Sequence, residues 1–420
     1  MVYVLSVTGN PLMPTNRHGK VKHLLRSGKA VVVRRCPFTI RLVYEAGDFT
    51  QPITLGVDAG SKTIGMSATT ASREVYSAEI ALRTDVMDKL ATRRELRRGR
   101  RFRNTRYRKA RFNNRIATKR DGWLAPSVRH KIDSHHRAVA FVHKFLPITK
   151  IIVEVASFDI QKIKNPDISG KEYQEGDQLG FWNVREYVLC RDGHTCQHCR
   201  GRSKYPVLNV HHIESRKTGG DAPGNLITLC ETCHGKYHRG EISVKVRRGA
   251  SFRDAAFMGI MRWTFYNELK DRYADVSLTF GYITKNTRIS HGLPKEHRTD
   301  ALCITGNPTA IRSDIWHRQK FVRTRNRQIH KATFQKGHIR RRNQAPKYVF
   351  GFQQYDVVRM PTGECGFVFG RRTSGYFDIR TIDGKKLSAG IACKKITLLN
   401  CRKSLLTEMQ RIPPATYANA

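Results

Sequence analysis

Ile53-Thr-Leu-Gly-Val-Asp58-Ala-Gly-Ser-Lys-Thr-Ile-Gly-Met-Ser67 decides how this chain is read. An apolar, β-branched run ends on an aspartate, turns through glycine and returns as a second apolar run. That pattern predicts a buried strand that carries a carboxylate to a sheet end before a hairpin. Val75–Ile80 supplies a third antiparallel strand, and Lys150-Ile-Ile-Val-Glu154-Val-Ala156 repeats the apolar strand with one acid inside it. A carboxylate in an apolar strand is costly unless paired or bound to a cation. The two acids therefore suggest a shared metal site. The bland alternative makes Asp58 a turn cap and Glu154 an exposed edge residue.

Working outward, the 420 residues carry 77 Lys+Arg against 34 Asp+Glu, a net charge of +43. Such an excess repels itself unless a polyanion neutralises it, and nucleic acid is the usual one. No apolar run approaches the roughly 18 residues of a spanning helix, and the N-terminus lacks the form of a signal peptide. The expectation is a cytoplasmic prokaryotic protein, nucleoid-associated when on DNA, with no membrane contact. Its ten cysteines then read as thiols or metal ligands before disulfides.

Residues 92–115 hold twelve basic residues against the single Glu95, with arginines at every helical angle. No one-faced amphipathic helix looks like this. The run predicts a helix gripped by phosphates, which arginine pairs with bidentately. A helix follows from near Pro126 to Phe145, its face made by Val128, Ile132, His135, Val139, Val142 and Phe145. A strand meander, a helix and a return strand with the second acid open a ribonuclease H-like fold.

Cys196-Gln-His-Cys199 and Cys230-Glu-Thr-Cys233 are two Cys-x-x-Cys knuckles thirty residues apart. Four thiolates at this spacing make a structural zinc site. Between and after them stand Asn209-Val-His211-His212, Asn225 and His234-Gly-Lys-Tyr-His238. His234 and His238 share a helix face, and His211 completes a divalent-metal site. His212, on the other side of its strand, is placed to take a proton from water. Asn225 holds the loop or orients that base. This ββα-metal arrangement is the HNH nuclease signature.

Farther on, His297-Arg-Thr-Asp300 opens an apolar helix. Asp300 makes a third acid, so that Asp58, Glu154 and Asp300 can hold two Mg²⁺ ions roughly 3.5–4 Å apart for in-line phosphodiester hydrolysis. His297 activates or orients the water. Residues 315–355 contain no acid, while 317–347 carry eleven Lys+Arg. Short strands and Gly turns over 348–400 predict a small β-barrel. Cys36, Cys190, Cys303, Cys365, Cys393 and Cys401 have no pairing pattern and read as packing residues.

The order of these motifs resembles IscB, the transposon-encoded RNA-guided nuclease family regarded as ancestral to the CRISPR type II effector. The resemblance rests on Gly-Val-Asp58-Ala-Gly, Ile-Val-Glu154 and His297-Arg-Thr-Asp300, with an Arg-rich bridge after the first and an HNH domain between the second and third. Pro11-Leu-Met-Pro14 matches the family's N-terminal PLMP domain, and Gln328–Arg342 its later basic segment. It implies an α/β multidomain chain: PLMP domain (1–50), a RuvC nuclease split over 51–90, 119–178 and 246–312, a bridge helix (91–118), a zinc-stapled HNH domain (179–245), a basic RNA-binding segment (313–347) and a β-rich domain (348–420) that reads a motif beside the target.

The implied function is cleavage of double-stranded DNA under an omega RNA guide, by a monomeric ribonucleoprotein. The RuvC-like centre, with two Mg²⁺, would cut the non-target strand and the HNH centre, with one Mg²⁺ and its structural Zn²⁺, the paired strand. Arg93, Arg94, Arg97, Arg98, Arg101, Arg108, Arg111 and Arg115, then Arg323, Arg325, Lys331, Arg340 and Arg341, are the expected nucleic-acid contacts. Two other classes stay open: a protein-guided nuclease of resolvase or homing type, and a non-enzymatic RNA-binding protein with relic nuclease folds.

Overall fold

A computed structural model describes residues 1–101, 122–155, 188–189, 192–201, 207–213, 225–243, 253–324, 333–334, 340–341 and 346–412. The chain opens with β1 (Val2–Leu5), β2 (Pro11–Thr15), α1 (His18–Arg26), β3 (Ala30–Arg34) and β4 (Thr39–Leu42). The meander β5 (Thr54–Ala59), β6 (Thr63–Thr69) and β7 (Glu74–Ala81) follows, then α2 (Val86–Arg101), α3 (Pro126–Val142) and β8 (Lys150–Val155). Next come β9 (Leu208–His212), β10 (Leu226–Cys230), α4 (Glu231–His238), α5 (Arg253–Lys270), β11 (Val276–Phe280), α6 (Gly281–Ser290) and α7 (His297–Ile304). The last part holds β12 (Ile315–Phe321), β13 (Thr333–Phe334), β14 (Arg340–Arg341), β15 (Val357–Arg359), β16 (Cys365–Arg371), β17 (Tyr376–Arg380), β18 (Lys386–Ala392), β19 (Thr397–Asn400) and β20 (Leu405–Arg411). The architecture is mixed α/β.

Two compact units result. The first takes Met1–Lys109, His130–Glu154 and Phe265–Ala420, and the second Ala110–Arg129 and Val155–Thr264.

The centre of the first unit is a seven-stranded sheet in the order β11-β8-β5-β6-β7-β12-β20. The hairpins β5–β6 and β6–β7 are antiparallel, while β8 joins β5 and β12 joins β7 in parallel. Strands β5 to β7 are buried almost throughout. Helix α7 lies flush on this sheet. A methyl group on Gly56 of β5 would overlap the Ala301 carbonyl oxygen, and one on Gly65 of β6 the His297 carbonyl oxygen. Only glycine permits that approach.

Several expectations change. Pro11-Leu-Met-Pro14, whose two prolines would suit a rigid turn, lies within strand β2, antiparallel to β1, and only Leu12 of the four is buried. Proline is tolerated there because β2 is an edge strand of the sheet β2-β1-β4-β3. The barrel expected over 348–400 is an open antiparallel sheet, β18-β17-β16-β15-β19, whose outer strands do not pair with each other. The next strand, β20, belongs to the large sheet and pairs with β12 over Ile315↔Arg411 to Phe321↔Leu405. The expected basic segment 313–347 therefore begins with a strand of the large sheet. Cys365 and Cys401 are exposed rather than packed, and helix α6 was not expected.

Of the first basic run, α2 holds Arg93, Arg94, Arg97, Arg98 and Arg101, and it begins at Val86, before the basic run itself. Arg108, Arg111 and Arg115 lie outside the described residues, as do Arg325 and Lys331. Arg340 and Arg341 form β14, opposite Phe334 and Thr333. No helix among the described residues is long and apolar enough to cross a membrane.

Candidate active sites

In the first unit the parallel pairing of β5 and β8 runs from Thr54↔Lys150 to Val57↔Val153. One step further along both strands sets Asp58 beside Glu154. Both are buried, at 6% and 9% exposure, so Glu154 is not an exposed edge residue, and β11 covers its strand. The Glu154 carboxylate lies against Gly281, the first residue of α6, 3.4 Å from where a Cβ would stand. A helix N-terminus favours negative charge there.

Helix α7 brings the other two candidates. His297 Nδ1 lies 2.6 Å from Asp58 Oδ2, and this bond, ahead of the opposing effect of burial, raises the imidazole's affinity for a proton. Asp300 is also raised, first by burial and then by the charge of Asp58. Arg288 of α6 opposes that shift, its Nε 2.9 Å from Asp300 Oδ1. Arg288 and Gly281 were missed in the sequence, where a single basic residue in a short helix carries no signal.

Buried, adjacent carboxylates of this kind fit divalent cations by donor chemistry. Among the described residues the groups of metal-binding side chains gathered within 4.8 Å are, however, two others, both in the second unit.

One is the four-cysteine set Cys196, Cys199, Cys230 and Cys233. Cys199 and Cys230 sulfurs stand 3.8 Å apart. A tetrahedron with Zn–S bonds of about 2.3 Å has edges of about 3.8 Å, so the set fits zinc. Cys230 ends β10 and Cys233 sits in the first turn of α4, so one knuckle fastens strand to helix. Leu229, Leu208 and Tyr237 pack around it.

The other is His211, His234 and His238. His211 comes from β9, and the pair on α4 is one helical turn apart, with the two Nε2 atoms 3.3 Å from each other. The His211 ring meets both at 4.7 and 4.8 Å. Burial first, then the neighbouring imidazoles, push His211 down to about 4, which keeps it neutral and able to donate its lone pair to a cation. Alternation along β9 sends His212 to the opposite face, where it pairs with Leu226 of β10. Asn225 is buried, and its carbonyl accepts the Ile213 N–H at 2.8 Å, closing the end of the hairpin.

Residues 196–240 match the model of the HNH endonuclease family, and residues 2–176 match that of the RRXRR protein family. The spelling Arg-Arg-x-Arg-Arg stands at Arg97–Arg101. Each of the two matches covers less than half of the chain. The HNH match accounts for both clusters of the second unit.

A curated relative, anaredoxin of Nostoc sp. (strain PCC 7120 / SAG 25.82 / UTEX 2576), is 44% identical over 41 residues, 10% of this chain and 54% of the relative. Similar solved structures include Streptococcus thermophilus Cas9 in complex with the AGAA PAM and with the GGAA PAM. Each is 14% identical, with TM-scores of 0.23 and 0.24, covering 44% of this chain and 26% of the Cas9 chain. The chain thus spans about half of the curated relative and about a quarter of each Cas9.

Proposed function

We propose that this chain is a metal-dependent DNA endonuclease with two centres, guided by RNA. The observation that carries the reading is the ββα cluster: three imidazoles within 4.8 Å, with His212 on the opposite face of the same strand, inside an HNH match.

In the HNH centre, His211, His234 and His238 would hold a divalent cation, which supplies charge stabilisation at the scissile phosphate. His212 takes the proton of the attacking water, a role suited to a neutral imidazole near pH 7. Asn225 fixes the loop that follows β9. The cysteine knuckles hold structural zinc and take no part in chemistry. In the RuvC-like centre, Asp58, Glu154 and Asp300 would hold Mg²⁺. His297, tied to Asp58, orients the water, while Arg288 holds the Asp300 carboxylate. On this reading the HNH centre cuts the guide-paired strand and the RuvC-like centre the displaced one. Base pairing supplies the sequence specificity and the protein reads shape and a short flank.

The charge of +43 supports a polyanionic partner, and the arginines of α2 and of the later basic segment are the RNA contacts in this reading. Purified protein with its co-purifying RNA, given duplex DNA matching that RNA and Mg²⁺, should cut both strands. RNase treatment before the DNA is added should abolish cutting. Cleavage that survives RNase would refute RNA guidance and leave a protein-guided nuclease.

A further inference from the structure

A cavity of about 580 Å³ opens in the first unit, lined by the stretch after β3, parts of β12 and β20, and strands β15 and β16. Sites for small ligands are of this size, roughly 300–1,000 Å³. No residue assigned above to cleavage lines it. Its wall carries Arg34, Arg35, Arg359, Arg402 and Lys403 against one acid, Glu408.

Two of these cations hold a buried guanidinium nitrogen with no hydrogen-bond partner among the described residues. Arg34 sits over the Phe141 ring at 4.8 Å with its Nη1 buried and unbonded. Arg402 sits over Tyr355 at 5.7 Å with its Nη2 in the same condition. Burial lowers the proton affinity of both guanidinium groups, against the charge of Asp356 at Arg402, and it raises that of Glu408, which weakens the one acid of the wall as a counter-ion. Buried donors on charged groups are costly when left unmade. A ligand that brings an anion removes that cost.

A second observation points to the same wall. Tyr355 has φ +71°, a left-handed backbone that bulky side chains rarely adopt. Such strain persists where surroundings over-determine it and clusters at ligand sites. Its ring meets Phe369 edge-on at 5.2 Å. Around it, Val357, Phe367 and Leu405 make the rest of the wall largely apolar.

A cationic rim joined to an apolar, aromatic interior suits a flat apolar body that carries a phosphate. An acidic peptide would satisfy only the rim. We propose that this cavity takes one nucleotide of a bound nucleic-acid strand, its phosphate drawn to Arg34 and Arg402 and its base lodged beside Tyr355. Aromatic rings and guanidinium planes hold unstacked bases in this way, with little regard to sequence. The proposal rests on the reading of the chain as nucleic-acid-binding and adds to it a place where one base leaves its stack.

The test uses the full-length protein and single strands carrying one 2-aminopurine, moved along the strand between samples. One position should change its fluorescence on binding, and Arg34→Met and Arg402→Met should each abolish that change while lowering strand affinity several-fold. Arg34→Met keeps an unbranched stem against Phe141, and thermal melts of both variants check folding. Arg402→Met stands on a separate wall segment, so one variant remains informative if the other fails to fold. The 5′-monophosphate of 2-aminopurine should bind at least tenfold tighter than its nucleoside. A position-independent signal, a signal that survives both substitutions, or equal binding of nucleoside and monophosphate would overturn the proposal. If the strand does not bind at all, the nucleic-acid reading itself has failed. Intact affinity without a position-specific signal removes the pocket alone.

Discussion

His297 and Asp58, 239 residues apart in the chain, share a hydrogen bond of 2.6 Å at the end of the central sheet. The bond joins helix α7 to strand β5. It places an imidazole on the carboxylate that the parallel register sets beside Glu154. Substitutions at this junction should therefore be read through one strand's cleavage, separately from the other unit.

Asp58→Ala removes a carboxylate of the proposed RuvC-like centre, and His212→Ala removes the proposed HNH base. Each should lower nicking of one strand by roughly 10²–10⁴-fold and spare the opposite strand. The double variant should bind DNA without cutting it. Strand-resolved gels of end-labelled duplex check this. Loss of both nicks in either single variant would show that the centres are not independent.

Cys199→Ser or Cys233→Ser should lower the zinc content by about one ion per chain, because structural zinc contributes folding energy directly. Protease sensitivity should rise within 190–240, while nicking by the RuvC-like centre persists at least in part. Elemental analysis with limited proteolysis reads both effects. An unchanged zinc count would refute the assignment.

Gly65→Ala puts a methyl group into the His297 carbonyl oxygen. Overpacking of this kind costs about 1–3 kcal/mol and sometimes more. The helix must back away from the sheet and carry His297 with it. Thermal stability and RuvC-like nicking should fall together, with HNH nicking retained. Ala68→Gly on the same strand is the control: it loosens β6 without pushing α7.

His317, buried on β12 and stacked on Tyr76 at 5.2 Å, is held down to about 4 by desolvation. Unfolded, it titrates near 6.5. As pH falls from about 6.5 to 4 the unfolded chain takes the proton first, so stability is lost across that window, on the order of 3 kcal/mol at its end. His317→Phe keeps the stack and removes the titration. Urea melts from pH 7 to pH 4.5 should show a shallower acid decline in the variant, and an unchanged slope would contradict the assignment.

Replacing Arg97, Arg101 and Arg108 by Gln should weaken guide-RNA binding broadly, with little change in sequence preference, because phosphate contacts position but do not specify. The slope of log K against log[salt] should flatten by roughly two to three units for three lost contacts. Filter binding over a salt series measures it. Reduced affinity at an unchanged slope would mean that these arginines act through folding.

Much of the site was legible because metal-ligand spacing is local. Cys-x-x-Cys closes within one turn, and His234 and His238 meet because residues four apart share a helix face. Their clusters needed only the turn at Cys196–Cys199, β9, β10 and α4. The burial of β5 to β8 was likewise written as β-branched runs, and Asp58 and Glu154 stood out as acids inside them. Short strands over 348–400 were visible, but neither their open ladder nor the departure of β20 was.

Tertiary structure alone decided which distant pieces meet. The pairing of β12 with β20, the setting of Asp58 beside Glu154, and the hold of Arg288 on Asp300 depend on register and packing between segments far apart in the chain. Local periodicity states which face of a strand is buried. It does not state which strand lies next to it, because neighbour choice follows from how all the apolar faces are covered at once.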